Sequence, residues 1–145
     1  MNAVPLLLAT MLATSLGTAA FAQGTPLPEE RTQGPVTYVS GGVGIEQAQA
    51  MRRAEADYPL TLELAAAAGG PRDEYVSGAE VTIRDHRGST VLQTRTAGPL
   101  VLVRLPPDRY DVDVDWNGAH RHRSIDVGQR RQHVLVEFSG SLDSR

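Results

Sequence analysis

The sequence predicts a mainly β fold: a seven-stranded antiparallel β-sandwich preceded by a short strand and one α-helix. Three observations carry this. Between Tyr110 and Trp116 the residues alternate without a fault, Tyr110, Val112, Val114 and Trp116 on one parity and Asp111, Asp113 and Asp115 on the other. Successive side chains of a strand point to opposite faces, so this is a strand with one dry face and one wet face. Asn117-Gly118 follows, and both residues tolerate the positive φ that a type I′ hairpin turn requires. The same alternation recurs from Leu60 to Phe138, broken at short intervals by turn residues. Two strands alone are marginal in water, so the others must cover the apolar face.

The chain of 145 residues opens on an apolar run, Val4 to Leu16, followed by Ala20-Phe21-Ala22. The run is shorter than the ~18 to 20 residues that span a bilayer, and a small-x-small tripeptide stands behind it. Residues 1–22 therefore read as a secretory signal peptide cut after Ala22. The expectation is a periplasmic or secreted protein with no membrane span after processing. Gln23 to Pro35 carries Gly, Thr and Pro with no apolar period and reads as a flexible linker.

Residues 36–58 read as one N-terminal unit. Val36 to Ser40 is a short strand and Gly41-Gly42-Val43-Gly44 a flexible turn. Ile45 to Tyr58 is a helix, with Ile45, Ala48, Met51, Ala54 and Tyr58 on one stripe, and Pro59 ends it. Gly44 is the N-cap, with Gln47 three residues on. This order of strand, glycine turn and helix is not a nucleotide site. It lacks the Lys-Ser/Thr of a phosphate loop and the third glycine of a dinucleotide fingerprint, and no parallel βαβ unit is expected to follow.

The sandwich domain is assigned to 59–138. Leu60, Leu62 and Leu64 alternate with Thr61 and Glu63 in its first strand, which Ala67-Ala68-Gly69-Gly70-Pro71 breaks. Val76, Val81 and Ile83 mark the second, closed by Asp85-His86-Arg87-Gly88. Thr90 to Thr96 is the third; polar on both faces, it belongs at an edge. Leu100 to Leu105 is the fourth, stopped by Pro106-Pro107, which cannot donate ladder hydrogen bonds. Arg109 to Trp116, Ala119 to Val127 and His133 to Phe138 complete the set, and 139–145 is a polar tail.

A two-residue loop at Asn117-Gly118 sets the register: Trp116 opposite Ala119, Asp115 opposite His120, Asp113 opposite His122, Tyr110 opposite Ile125. Ile125 and Val127 then point inward. Arg121 and Arg123 acquire the same parity, so they must sit at the rim with packed stems and wet heads.

Composition excludes several chemistries. The net charge is −3 and the basic residues are scattered, which leaves no footprint for nucleic acid. There is no cysteine, hence no disulfide, thiol nucleophile or lipidated cysteine. There is no lysine, hence no Schiff base and no isopeptide crosslink. No Gly-x-Ser-x-Gly or His-Glu-x-x-His signature occurs, so the chain reads as non-catalytic and without a cofactor.

One outer face has chemical promise. Asp113, Asp115, His120 and His122 share it, with cross-strand Cβ atoms expected ~4.5 to 5.5 Å apart. Carboxylates and imidazoles so spaced could grip a divalent ion. The reading preferred over metal binding is a charge ladder in which aspartates pair with partly protonated histidines on a wet sheet, bringing mild pH sensitivity. Asp111-x-Asp113-x-Asp115 mimics the opening of a calcium loop, but Trp116 stands where glycine is required and His122 where glutamate is. Tyr110, just after Pro106-Pro107, reads as a corner tyrosine bonded to backbone. Trp116 reads as a core-edge residue rather than a sugar platform.

Val81-Thr-Ile-Arg-Asp-His-Arg-Gly88 followed by Leu105-Pro-Pro-Asp-Arg-Tyr-Asp-Val112 resembles the carboxypeptidase regulatory-like domain. In that family a V-x-I-x-D-x-x-G hairpin precedes L-P-P-G-x-Y-x-V; here Asp108 replaces the glycine. The precursor is also similar to exported bacterial proteins that carry the domain after a Y-V-S-G-G-x-G segment, here Tyr38 to Gly44. The resemblance implies a transthyretin-like sandwich, of broadly immunoglobulin-like build, and export. Transthyretin-like hydrolases end in Tyr-Arg-Gly-Ser, whereas this chain ends Leu142-Asp143-Ser144-Arg145. The expected function is a module that binds another envelope protein, through the edge strand or through Tyr38, Ser40, Gly41, Gly42 and Gly44. A carbohydrate- or peptidoglycan-binding module is the alternative, against which the scarcity of aromatics weighs; a hydrolase with an unrecognised site ranks last.

Overall fold

The structure, a computed structural model, describes residues 26–67 and 74–138, with Glu74 and Tyr75 as backbone alone. The signal-peptide segment 1–22, the start of the linker, most of the Ala67–Pro71 loop and the polar tail lie outside the described residues.

Among the described residues ten strands form two sheets. The first sheet holds β1 (Arg31–Gln33), β2 (Val36–Gly41), β7 (Leu100–Arg104), β3 (Leu60–Ala66) and β10 (Gln132–Phe138) in that order, with the two-residue β4 (Glu74–Tyr75) on the end of β3. The second runs β6 (Thr90–Arg95), β5 (Glu80–Arg84), β8 (Asp108–Trp116), β9 (Ala119–Val127). The mainly β sandwich with one helix is the expected fold class. The two additional strands are β4 and β1, the latter inside the stretch whose composition suggests a linker. β1 forms a hairpin with β2 across Gly34-Pro35.

Two expectations of strand direction are corrected. β10 runs parallel to β3 from Gln132↔Leu60 to Phe138↔Ala66, so the sandwich is not wholly antiparallel. The cause is the short connection after β9, which passes from one sheet to the other and delivers β10 beside a strand far away in sequence. Parallel neighbours need a long connection, and here most of the sandwich supplies it. Likewise β2 and β3 are both antiparallel to β7, which lies between them, so they are parallel to each other. With helix α1 (Ile45–Ala54) between them in sequence they make a split βαβ unit, contrary to the expectation of none.

The molecule thus has three layers: helix, first sheet, second sheet. Between the sheets lie Leu62, Leu64, Val81, Ile83, Val112, Val114, Val136 and Phe138, with Val101 and Val103 of β7. On the other side of the first sheet, Met51, Ala54 and Tyr58 cover Val39, Leu100 and Leu102. β7 is therefore buried on both faces. That is why Leu100-Val101-Leu102-Val103 is unbroken apolar sequence, where β8, with one wet face, alternates.

The helix is shorter than expected, ending at Ala54 and tightening into a 3₁₀ turn over Glu55–Asp57. Its buried stripe starts later too. Met51 is fully buried, whereas Ile45, expected on the stripe, is 77% exposed. The first turn stands clear of the sheet, leaving a cavity of about 160 Å³ lined by Gly42, Ile45, Ala48, Pro99 and Leu100 among others. The far end is held down by Tyr58. Its hydroxyl donates to Glu30, and burial, then that carboxylate, pushes its pKa up to about 12.

Candidate functional site

Asn117 and Gly118 take φ of 48° and 78°, the positive values a type I′ turn requires. Every residue pair that this turn predicts is observed: Trp116↔Ala119, Asp115↔His120, Asp113↔His122 and Tyr110↔Ile125. Asp113, Asp115, His120 and His122 are thereby brought together on the outer face of β8 and β9. His122 Nδ1 lies 2.8 Å from Asp113 Oδ1 and its Nε2 3.7 Å from Asp111 Oδ1. His120 Nδ1 lies 2.7 Å from Asp115 Oδ1 and its Nε2 3.3 Å from Asp113 Oδ1.

Asp113 is the hub. It is the one aspartate of the strand that is buried, at 8% exposure, and Arg84 Nη1 donates to its Oδ2 at 2.6 Å. Burial alone would raise its pKa; the hydrogen bond from His122 and the charges of His122, Arg84 and His120 outweigh burial and hold it below the usual range. His120 is pushed up, first by its hydrogen bond to Asp115 and then by the charges of Asp115 and Asp113. The arrangement is an alternating ladder, Asp115–His120–Asp113–His122–Asp111, with the Arg84 guanidinium joined to its central aspartate. Among the described residues no group of three or more His, Asp and Glu side chains is set to hold a metal ion.

A second histidine group was invisible to the sequence. His133 Nε2 is 2.8 Å from Glu63 Oε2, its Nδ1 3.5 Å from Glu55 Oε2, and Arg52 donates to Glu63 at 3.0 Å. Burial would raise the Glu63 pKa, but hydrogen bonds from His133 and Arg52 bring it down. His133, Glu55 and Arg52 border an open cavity of about 360 Å³ with Thr61, Arg131 and Gln132. The parallel β3–β10 pairing brings them together, and no local pattern announces it. His86 pairs with Asp108 at 2.6 Å, so each of the four histidines faces a carboxylate.

The Tyr38–Gly44 segment is mostly internal. Tyr38 is 5% exposed and Ser40 Oγ accepts from the Ala97 amide at 2.8 Å. Gly41 sits where a Cβ would come within 2.6 Å of Pro28, and a Cβ on Gly98 would reach within 2.3 Å of the Gly41 carbonyl oxygen. Gln47 Oε1 accepts from the Gly42 and Val43 amides, so it fixes the turn just before the N-cap Gly44 rather than closing a capping box on it. What the segment presents to solvent is Gly44 and the side chain of Val43, 62% exposed, with Ile45 following.

β6 occupies an edge, as its two-sided polarity predicts. The Gln33 side chain meets it: Nε2 donates to Gln93 O at 2.8 Å and Oε1 accepts from Gln93 N at 3.1 Å. Tyr110 donates to Pro106 O at 2.6 Å, the expected corner bond. Trp116 packs on Phe138 with ring centroids 5.5 Å apart and donates to Ser77 O, so its ring is used at the core's edge. Among the described residues no helix is long and apolar enough to cross a membrane. A scan against protein-family models and a search of the curated proteins find no match to this chain.

Proposed function

We propose that the chain is a non-catalytic exported module, periplasmic or secreted, that binds another envelope protein. Export is supported by the apolar run from Val4 to Leu16 with Ala20-Phe21-Ala22 behind it. The observation that carries the binding reading is the pair Val43 and Ile45, large apolar side chains exposed on either side of Gly44. A single exposed apolar residue is ordinary; two together, beside a cavity lined by Ala48, Pro99 and Leu100 and rimmed by Gln49, Arg52 and Glu63, make a patch of the kind that partners cover. The mount is rigid, because Gln47 fixes the turn and Gly41 packs against Gly98. A partner therefore pays little ordering entropy at this surface.

Affinity capture from an envelope extract tests this. The wild-type protein retains a partner that Val43→Asp/Ile45→Asp loses while keeping wild-type circular dichroism. Equal capture by both proteins removes the patch from the account.

A further inference from the structure

We propose that β6 is a second interaction edge, fitted to the β6 strand of another copy of this chain and held shut by Gln33. The first ground is the chemistry of the contact. One primary amide both donates to Gln93 O and accepts from Gln93 N, the reciprocal pair that a residue of a neighbouring antiparallel strand makes. The Gln33 side chain thus fills a backbone position, and what can replace it is backbone.

The second ground is the other edge of the same sheet. On β9, Arg121 Nη1 donates to His120 O and Arg123 Nη1 to His122 O, while Arg121 Nε donates to Glu137 O of β10. Charged side chains lie along that edge, a common guard against strand addition. β6 has no proline, one charge in six residues, and Glu80 directly opposite that charge, Arg95, on β5. Beside it the two sheets part around a cavity of about 170 Å³ lined by Arg31, Ser40, Thr94 and Arg95 among others.

The third ground is self-complementarity. An antiparallel two-fold pairing centred on Gln93 sets Leu92 against Thr94 and Val91 against Arg95, and no like charges meet. Such pairing needs the Gln33 amide to leave in both copies. This edge is separate from the Val43/Ile45 surface, and its test does not depend on a partner being found there.

The absence of cysteine makes the test clean. Gln93→Cys places one thiol per chain at the two-fold centre, where Cα atoms of a hydrogen-bonded antiparallel pair stand ~5.5 Å apart, within disulfide range. Oxidation yields a disulfide dimer about tenfold more readily in Gln33→Met/Gln93→Cys than in Gln93→Cys alone, since two hydrogen bonds no longer compete. Arg123→Cys on the β9 edge, in the Gln33→Met background, stays at the random-collision rate. Sedimentation equilibrium of Gln33→Met and Gln33→Glu, both cysteine-free, shows stronger self-association than the wild type, and the glutamate variant, which keeps the acceptor but not the donor, falls between. A Gln93 thiol that crosslinks no faster than the Arg123 control overturns the interface. Equal crosslinking with and without Gln33 overturns its role as the latch.

Discussion

Arg121 lies across the ring of Phe138, its guanidinium carbon 5.4 Å from the ring centroid, while its Nε donates to the Glu137 carbonyl at 3.0 Å. An arginine with core parity on β9 therefore closes the gap between the two sheets where β9 and β10 meet. Its stem covers apolar surface and its head stays wet. Gln33 does the corresponding work at the opposite side, bridging β1 of one sheet to β6 of the other.

Stability rises to a maximum in mildly acid solution. The His120 pKa is raised on folding, so its contribution is complete below about pH 6.5 and is lost as pH climbs through the folded value. Asp113 and Glu63 are lowered, so theirs is present above about pH 4.5 and is lost as pH falls through their folded values. Thermal unfolding gives a higher midpoint at pH 5.5 than at pH 8 or pH 3. His120→Gln flattens the alkaline side; an unchanged profile in that variant sinks the His120 pairing as its source.

The helix is part of the core and its first turn is not. Met51→Ala costs about 2–5 kcal/mol, the range for removing a fully buried large side chain, whereas Ile45→Ala stays within about 0.5 kcal/mol of wild type. Urea denaturation measures both, and equal losses contradict the layer arrangement.

Gly98 and Gly128 behave oppositely. Gly98→Ala drives a methyl into the Gly41 carbonyl and destabilises by about 1–3 kcal/mol. A Cβ on Gly128 meets nothing within 4 Å, and its φ is not positive. Gly128→Ala is therefore neutral or stabilising by up to about 1 kcal/mol. A neutral Gly98→Ala in the same denaturation assay speaks against the close approach.

Tyr110→Phe removes the bond to Pro106 O and little else. The loss is about 0.5–1.5 kcal/mol with the fold kept, read from the same urea midpoints. No loss at all makes the corner bond incidental.

What the sequence discloses follows from range. The β8–β9 hairpin is encoded by a period of two and a turn whose residues take positive φ, so its register, the Asp/His face and the rim position of Arg121 are all readable locally. β6 at an edge is readable too, from the polar residues at both parities of Thr90 to Thr96. The β3–β10 pairing joins residues about seventy positions apart and has no local signature, so His133 beside Glu63 and Glu55 is not readable. Nor is the placement of α1: its periodicity names Met51, Ala54 and Tyr58, but where the sheet ends beneath it decides that Ile45 is left in solvent. The five Tyr38–Gly44 residues are singled out by the Y-V-S-G-G-x-G resemblance, which says nothing of packing; Gly41 is a close-packing residue.

The most direct measurement is photocrosslinking in living cells with p-benzoylphenylalanine at position 45, and at position 123 as control. The account predicts an adduct with one envelope protein from position 45, absent from position 123 and abolished by Val43→Asp. No adduct from position 45, or the same adducts from both positions, would contradict it.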